Sequence, residues 1–308
     1  MTSVPKPDNV TFLSRQFKLA AHLYHPVPNS PDRSGAAIII AHPWTSIKEQ
    51  SPANYARVLS KAGFTCLAYD AAYQGESEGE PRSLEDPAQR VEDIKAAVTY
   101  LISRKDVDSS NIGVLGICAS GGYAPYAAQT DLRIKACATV AAVCAGTMAR
   151  RGYDKDTSNI DILKTQLEAA GRDRNSDVTG ESVPIVHMLP EKLEDAPSNF
   201  PESFRDLAGY YRTPRAQHPR ATNTCLPRSW DLMGNFDAFA FNSMISPRPL
   251  LMITGTKAAT KWFSEDGIEM AKEPKELFVI DGLTHADLYD HVDESGPKVV
   301  EFFGKAFA

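Results

Sequence analysis

Asn111-Ile112-Gly113-Val114-Leu115-Gly116-Ile117-Cys118-Ala119-Ser120-Gly121-Gly122-Tyr123 is the most informative run in this chain of 308 residues. It opens as an unbroken apolar segment, the pattern of a strand buried on both faces. It then passes into small residues, and a helix-compatible segment follows from Tyr123 to Gln129. Strand, tight turn and helix are the setting of a nucleophile elbow, where small residues flank the nucleophile because the turn has no room for larger ones. Free N–H groups at the helix start favour negative charge at the same place. Two registers fit. Gly116-x-Cys118-x-Ser120 makes Cys118 the nucleophile, and Cys118-x-Ser120-x-Gly122 makes it Ser120. The nucleophile of an elbow follows directly on the apolar run, here Ile112 to Ile117, which favours Cys118. The competing reading is a cysteine that only fills space, as most buried free cysteines do.

Upstream, Val10 to Arg15 and Gln16 to Tyr24 read as a hairpin, with His22 and His25 as core or surface fillers. Ala36 to Ala41 is an apolar strand without alternation, and His42-Pro43-Trp44-Thr45-Ser46 follows at its carboxyl end, where open α/β sheets place their ligands. A helix is expected over Ala53 to Ala62 and a strand over Phe64 to Asp70. The Gly-rich loop after that strand holds no phosphate fingerprint. Asp86-Pro87-Ala88-Gln89 reads as a capped helix start, with Gln89 closing a capping box. Downstream, Arg133 to Val143, Pro249 to Gly255 and Leu277 to Asp281 read as strands. Helices are expected over about Ser264 to Ala271 and Pro297 to Phe307. Together these give an α/β fold: an α/β-hydrolase type of mostly parallel, doubly wound sheet. The stretch 145–245 breaks the βα rhythm and reads as a cap or lid inserted into a core formed by 1–144 and 246–308. Its aromatics Tyr210, Tyr211, Trp230, Phe236, Phe239 and Phe241 are candidates to line an acyl pocket or to form the cap's own core.

The chemistry needs a base, and His285 stands in a Gly-containing loop just past the final strand, in the chain order of an α/β-hydrolase. A Cys–His pair can work as thiolate and imidazolium. Two backbone N–H groups should hold the oxyanion, those of Ala119 and Trp44. His42 reads as shaping its loop rather than as a base. The acid is harder to place. The segment after Gly255, Thr256-Lys257-Ala258-Ala259-Thr260, has no carboxylate. The candidates are Asp266, Glu265, or Asp70 at a neighbouring strand end, whose expected task is bracing loops. Otherwise the acid is missing, or one has been replaced at Ala258 or Ala259. A cysteine tolerates that loss better than a serine, because the acid only orients and stabilises the imidazolium.

Composition is that of a globular protein. A net charge of −6 and the lack of any basic stripe argue against nucleic acid. Five cysteines, an odd number, suggest a reducing, cytoplasmic setting without a disulfide framework. No Cys/His cluster has metal-ligand spacing, and neither metal nor cofactor is called for. The start, Met1 to Pro7, lacks the apolar core of a signal peptide, no run reaches membrane-spanning length, and the ending is not a peroxisomal address.

Gly116 to Tyr123, Tyr69 to Ser77 and Glu85-Asp86-Pro87-Ala88-Gln89-Arg90-Val91-Glu92-Asp93-Ile94 together resemble the dienelactone-hydrolase-like branch of the α/β-hydrolases, and more narrowly the fungal polyketide transferase and thiohydrolase family. The resemblance spans about 35–143 and 245–303. It implies attack by Cys118 on an acyl thioester held on a polyketide synthase carrier domain, followed by release of the acyl chain to water or an alcohol. Two alternatives stand beside it: a hydrolase of small esters or lactones, and a scaffold of the same fold that only binds a ligand or partner.

Overall fold

The structure is a computed structural model and describes residues 6–153, 155, 159–181 and 184–308. The reading of Met1 to Pro5 lies outside the described residues. The strands are β1 (Asp8–Ser14), β2 (Phe17–Tyr24), β3 (Ala37–Ala41), β4 (Thr65–Tyr69), β5 (Ile112–Ile117), β6 (Ala136–Val140), β7 (Val186–His187), β8 (Thr224–Cys225), β9 (Leu250–Gly255) and β10 (Lys275–Ile280). Eight of them form one sheet in the order β1-β2-β4-β3-β5-β6-β9-β10. β2 runs antiparallel to both β1 and β4, and every other pairing is parallel.

The apolar runs become central strands because both sheet faces are covered. In β3, Ala37, Ile39 and Ala41 enter one core, and Ile38 and Ile40 enter the other. The first core is closed by α2 (Pro87–Ile102) and α3 (Ser120–Thr130), through residues such as Val91, Ile94 and Tyr123. The second is closed by α1 (Ser51–Lys61) and α10 (Val292–Ala306), through Tyr55, Leu59, Val299 and Phe303. Alternation along the strand is therefore invisible in sequence, since both sides are apolar.

Helix α2 starts as its sequence suggests: Asp86 accepts from the N–H groups of Ala88 and Gln89. Gln89 does not close the expected box. Its amide is drawn to buried partners, donating to Asp93 Oδ1 (2.7 Å) and Ser14 Oγ (3.0 Å).

Between β6 and β9 lie α4 (Ala145–Arg151), α5 (Ile160–Thr179), the β7–β8 pair, α6 (Glu202–Tyr211) and α7 (Ser229–Met233). This segment adds no strand to the main sheet. Leu163, Trp230 and Met233 join the first core, and Ala208, Tyr210 and Tyr211 join the second, so its packing is continuous with that of the sheet. After β9 come α8 (Lys261–Glu269), β10, the short α9 (Asp287–Asp290) and α10. No helix among the described residues is long and apolar enough to cross a membrane.

Candidate active site

β5 ends at Ile117, and the chain turns at once into α3. At the corner Cys118 adopts φ +56°, the left-handed region that costs a non-glycine residue about 1–3 kcal/mol and persists only when its surroundings enforce it. The adjacent strand enforces it here. Cys118 N–H donates to Val140 O (3.0 Å), and Cys118 O accepts from Val143 N–H (2.9 Å) and Gly121 N–H (2.7 Å). The small neighbours are a steric need. A Cβ on Gly116 would stand 2.0 Å from Ser120 O, and one on Gly121 would stand 2.6 Å from Ala142 Cα.

The two registers separate at Ser120. Its side chain is buried, with the hydroxyl donating to His42 O (2.6 Å) and accepting from Arg90 Nη2 (3.0 Å). Cys118 instead stays half-buried and forms part of the wall of an apolar cavity. Its sulfur is close enough to the backbone N–H groups of Ala119 and Trp44 and to the Tyr289 hydroxyl for all three to pull the thiol pKa down. The two backbone donors are those expected to hold an oxyanion.

The Trp44 loop is held from beneath. Arg90, buried and stacked over Tyr123 at 5.3 Å, donates to His42 O (2.5 Å). Glu85 lies 3.6 Å from Arg90 Nε and accepts from Tyr123 Oη (2.8 Å). His42 Nδ1 donates to Pro43 O (2.6 Å), and its Nε2 accepts from Ala71 N–H (3.0 Å). Burial and Arg90 hold the His42 pKa well below its ordinary value, so the ring is a neutral brace. Asp70 braces likewise. It accepts from Lys48 N (2.8 Å), Lys48 Nζ (2.8 Å) and Glu76 N (2.9 Å). Asp70 is expected to brace loops, but its partner Lys48 and the Glu85–Arg90 pair are not singled out from sequence. Charged residues spaced on a helix and a loop usually mark a solvated face, and only the fold buries these.

His285 follows β10 in a loop anchored by α6. Asp206 of α6 accepts from Thr284 Oγ1 (3.0 Å) and Ala286 N–H (3.0 Å). His285 Nδ1 meets Thr260 Oγ1 (2.5 Å), and Nε2 meets Tyr289 Oη (2.8 Å). Both ring nitrogens therefore face hydroxyls rather than a carboxylate. Asp266 is not at the ring. It lies in α8 and pairs with Lys155 (2.6 Å), because the helix starts at Lys261 and carries it outward. Glu265 pairs with Lys261 (2.9 Å) on the same helix. The expectation of Asp266 as the triad acid is thus corrected by its position, and Thr260 fills the place.

Burial sets the charges. It lowers the His285 pKa to about 4 and raises that of the Cys118 thiol, the latter against the pull of Tyr289, Ala119 N–H and Trp44 N–H. The resting pair is a neutral thiol and a neutral imidazole, not the thiolate–imidazolium pair that the sequence suggested.

The cavity before Cys118 measures about 570 Å³. Trp44, Met148, Tyr153, Phe204, Trp230 and Tyr289 are among its walls. Of the cap aromatics singled out in sequence, Tyr211 and Trp230 reach it. Tyr210 packs on Tyr211 and Tyr289, Phe236 packs on Tyr123 and Tyr126, Phe239 joins the core, and Phe241 is exposed.

Comparison with known proteins agrees with this frame. The sequence is 39% identical over 289 residues to YcjY of Escherichia coli K12, covering 92% of this chain and 93% of that protein. It is 27% identical to polyketide transferase grgF of Penicillium sp, covering 82% of each. The crystal structure of hypothetical protein PA2218 from Pseudomonas aeruginosa matches with a TM-score of 0.91 at 33% identity, over 99% of this chain and 95% of that one. The crystal structure of the α/β-hydrolase GrgF matches with a TM-score of 0.82 at 24% identity, over 99% of both chains, a likeness of fold. The family model for X-Pro dipeptidyl-peptidase (S15 family) matches residues 16–177, more than half of the chain. On this match and on the sheet order, the chain belongs to the S15 family of the α/β-hydrolases and is an enzyme of the hydrolase and acyltransferase class.

Proposed function

We propose that the chain is an acyl-transfer enzyme in which Cys118 attacks a thioester or activated ester, and that the acyl group is a largely apolar chain of polyketide type. One observation carries the reading. The Cys118 sulfur sits in the elbow with two backbone N–H donors, from Ala119 and Trp44, at the wall of an aromatic cavity of about 570 Å³. Attack forms an S–C bond, and the carbonyl oxygen becomes an oxyanion for those two donors. Collapse expels the leaving thiol and leaves an acyl-enzyme. His285 then serves as the base for water or an alcohol, which takes the acyl group. The likeness to polyketide transferase grgF supports a thioester on a carrier domain as the donor.

A chain-length series tests the substrate class. Acyl thioesters of increasing length, free and carrier-bound, are compared with short soluble esters by kcat/KM. The reading expects thioesters to win and kcat/KM to rise with chain length until the cavity is full. Best turnover on short esters, with no response to length or carrier, would contradict it and favour a small ester or lactone hydrolase.

A further inference from the structure

The hydrogen bonds of the His285 ring go to Thr260 and Tyr289 rather than to the sulfur it is expected to serve. Tyr289 Oη lies 2.8 Å from His285 Nε2, and Tyr289 and Cys118 adjoin in the wall of the same cavity, near enough to perturb each other's titration. From this geometry we infer that Tyr289 is a catalytic residue of the reaction proposed above, passing the proton of Cys118 to His285.

The placement is fixed. His285 and Tyr289 are four residues apart: Tyr289 lies within the short α9, and His285 stands two residues before its start. Tyr289 is fully buried, with its ring against Tyr210 (5.0 Å), Tyr211 (6.1 Å) and His285 (5.3 Å) between centroids. The backbone of α9 is pinned as well. Asn54 Nδ2 donates to Tyr289 O (3.1 Å), and Tyr55 Oη donates to Leu288 O (2.7 Å). These contacts hold the ring in place, with its hydroxyl on His285 Nε2. The ionisable groups that face it are Cys118, Tyr153, Tyr210, Tyr211 and His285. None of these is a carboxylate or a permanent cation.

The proton count closes. His285 Nδ1–H donates to Thr260 Oγ1, which leaves Nε2 as an acceptor for the Tyr289 O–H. Tyr289 Oη in turn accepts from the Cys118 S–H. As Sγ forms its bond to the acyl carbon, its proton moves to Tyr289 Oη, and the tyrosine's own proton moves to His285 Nε2. The tyrosine stays neutral throughout, as its burial demands. When the tetrahedral intermediate collapses, His285 Nε2 gives its proton back to Tyr289 Oη and the tyrosine's proton passes to the sulfur of the leaving thiolate, which departs as a thiol, while Cys118 Sγ keeps the acyl group. Both resting groups are neutral, so a relay that creates charge only during attack suits the site better than a stored ion pair.

The relay rests on Cys118 as nucleophile, and the test separates the two. Wild type and Tyr289→Phe are treated with an acyl thioester and followed by intact mass and by acylation rate, and Cys118 alkylation is followed against pH. The expected result is an adduct on Cys118 in wild type. Tyr289→Phe should acylate about 100-fold more slowly, the usual scale of a lost acid–base group. Its alkylation profile should move to higher pH, because the thiolate loses its hydroxyl donor. In wild type, acylation in mixed H₂O and D₂O should give a bowed proton inventory, as two protons in flight require. No adduct on Cys118 in wild type would overturn the nucleophile itself. An adduct together with an unchanged rate and pH profile in Tyr289→Phe, or a linear inventory in wild type, would overturn the relay alone.

Discussion

Thr260 Oγ1 stands 2.5 Å from His285 Nδ1, where a hydrolase of this fold would be expected to hold a carboxylate. A hydroxyl orients the ring but adds no counter-charge, so the imidazolium gains little stabilisation. Thr260→Val should leave the buried N–H without a partner, lowering stability by about 1–3 kcal/mol and slowing acylation. Thr260→Asp should raise the His285 pKa from its depressed value, which an NMR titration of the ring would follow. A ring pKa that stays put in Thr260→Asp would show that the carboxylate does not face Nδ1.

Burial of neutral His285 links folding to pH. Its folded pKa of about 4 lies below the unfolded value of about 6.5, so the unfolded chain binds the proton first as pH falls. The stabilising contribution is complete above pH 6.5 and is lost down to pH 4. Over that window His285 should account for about 3 kcal/mol. Denaturant melts of wild type and His285→Gln check this. From pH 6.5 down to pH 4 the wild type should lose about 3 kcal/mol more stability than the variant, and parallel stability–pH curves would refute the assignment.

Ser120 holds a loop rather than the substrate. Ser120→Ala removes the hydroxyl between His42 O and Arg90 and should cost about 1–2 kcal/mol in a urea melt. The acyl adduct should still form. Loss of the adduct with the fold intact would return Ser120 to the list of nucleophiles.

Gly116 tests the elbow by sterics alone. A methyl group there would lie 2.0 Å from Ser120 O, a backbone atom that cannot give way cheaply. Gly116→Ala should therefore unfold the chain or displace Cys118. An active Gly116→Ala variant with unchanged Tm would mean that the turn is looser than described.

Much of the fold could be read from residues with one dominant demand. Ile38 to Ile40 and Val114 to Leu115 have no polar face to offer, so they become central strands. Asp86 and Pro87 suit only a helix start, and Gly116 and Cys118 locate the elbow. What sequence hid depends on distant partners. Gln89 caps nothing because Ser14 and Asp93 compete for its amide. Asp266 is displaced because α8 begins three residues earlier than its apolar pattern suggests, at Lys261. Tyr289 left one signal, a tyrosine four residues after the loop histidine. Spacing alone does not distinguish it from a core aromatic, and only burial beside Cys118 does.

In the proposed mechanism Cys118 carries the acyl group. Intact-mass measurement after mixing with an acyl thioester, followed by peptide mapping, tests it most directly. The wild-type chain should gain one acyl mass on the peptide that contains Cys118, and Cys118→Ala should gain none and lose turnover. An adduct mapped to Ser120, or full turnover in Cys118→Ala, would contradict the account.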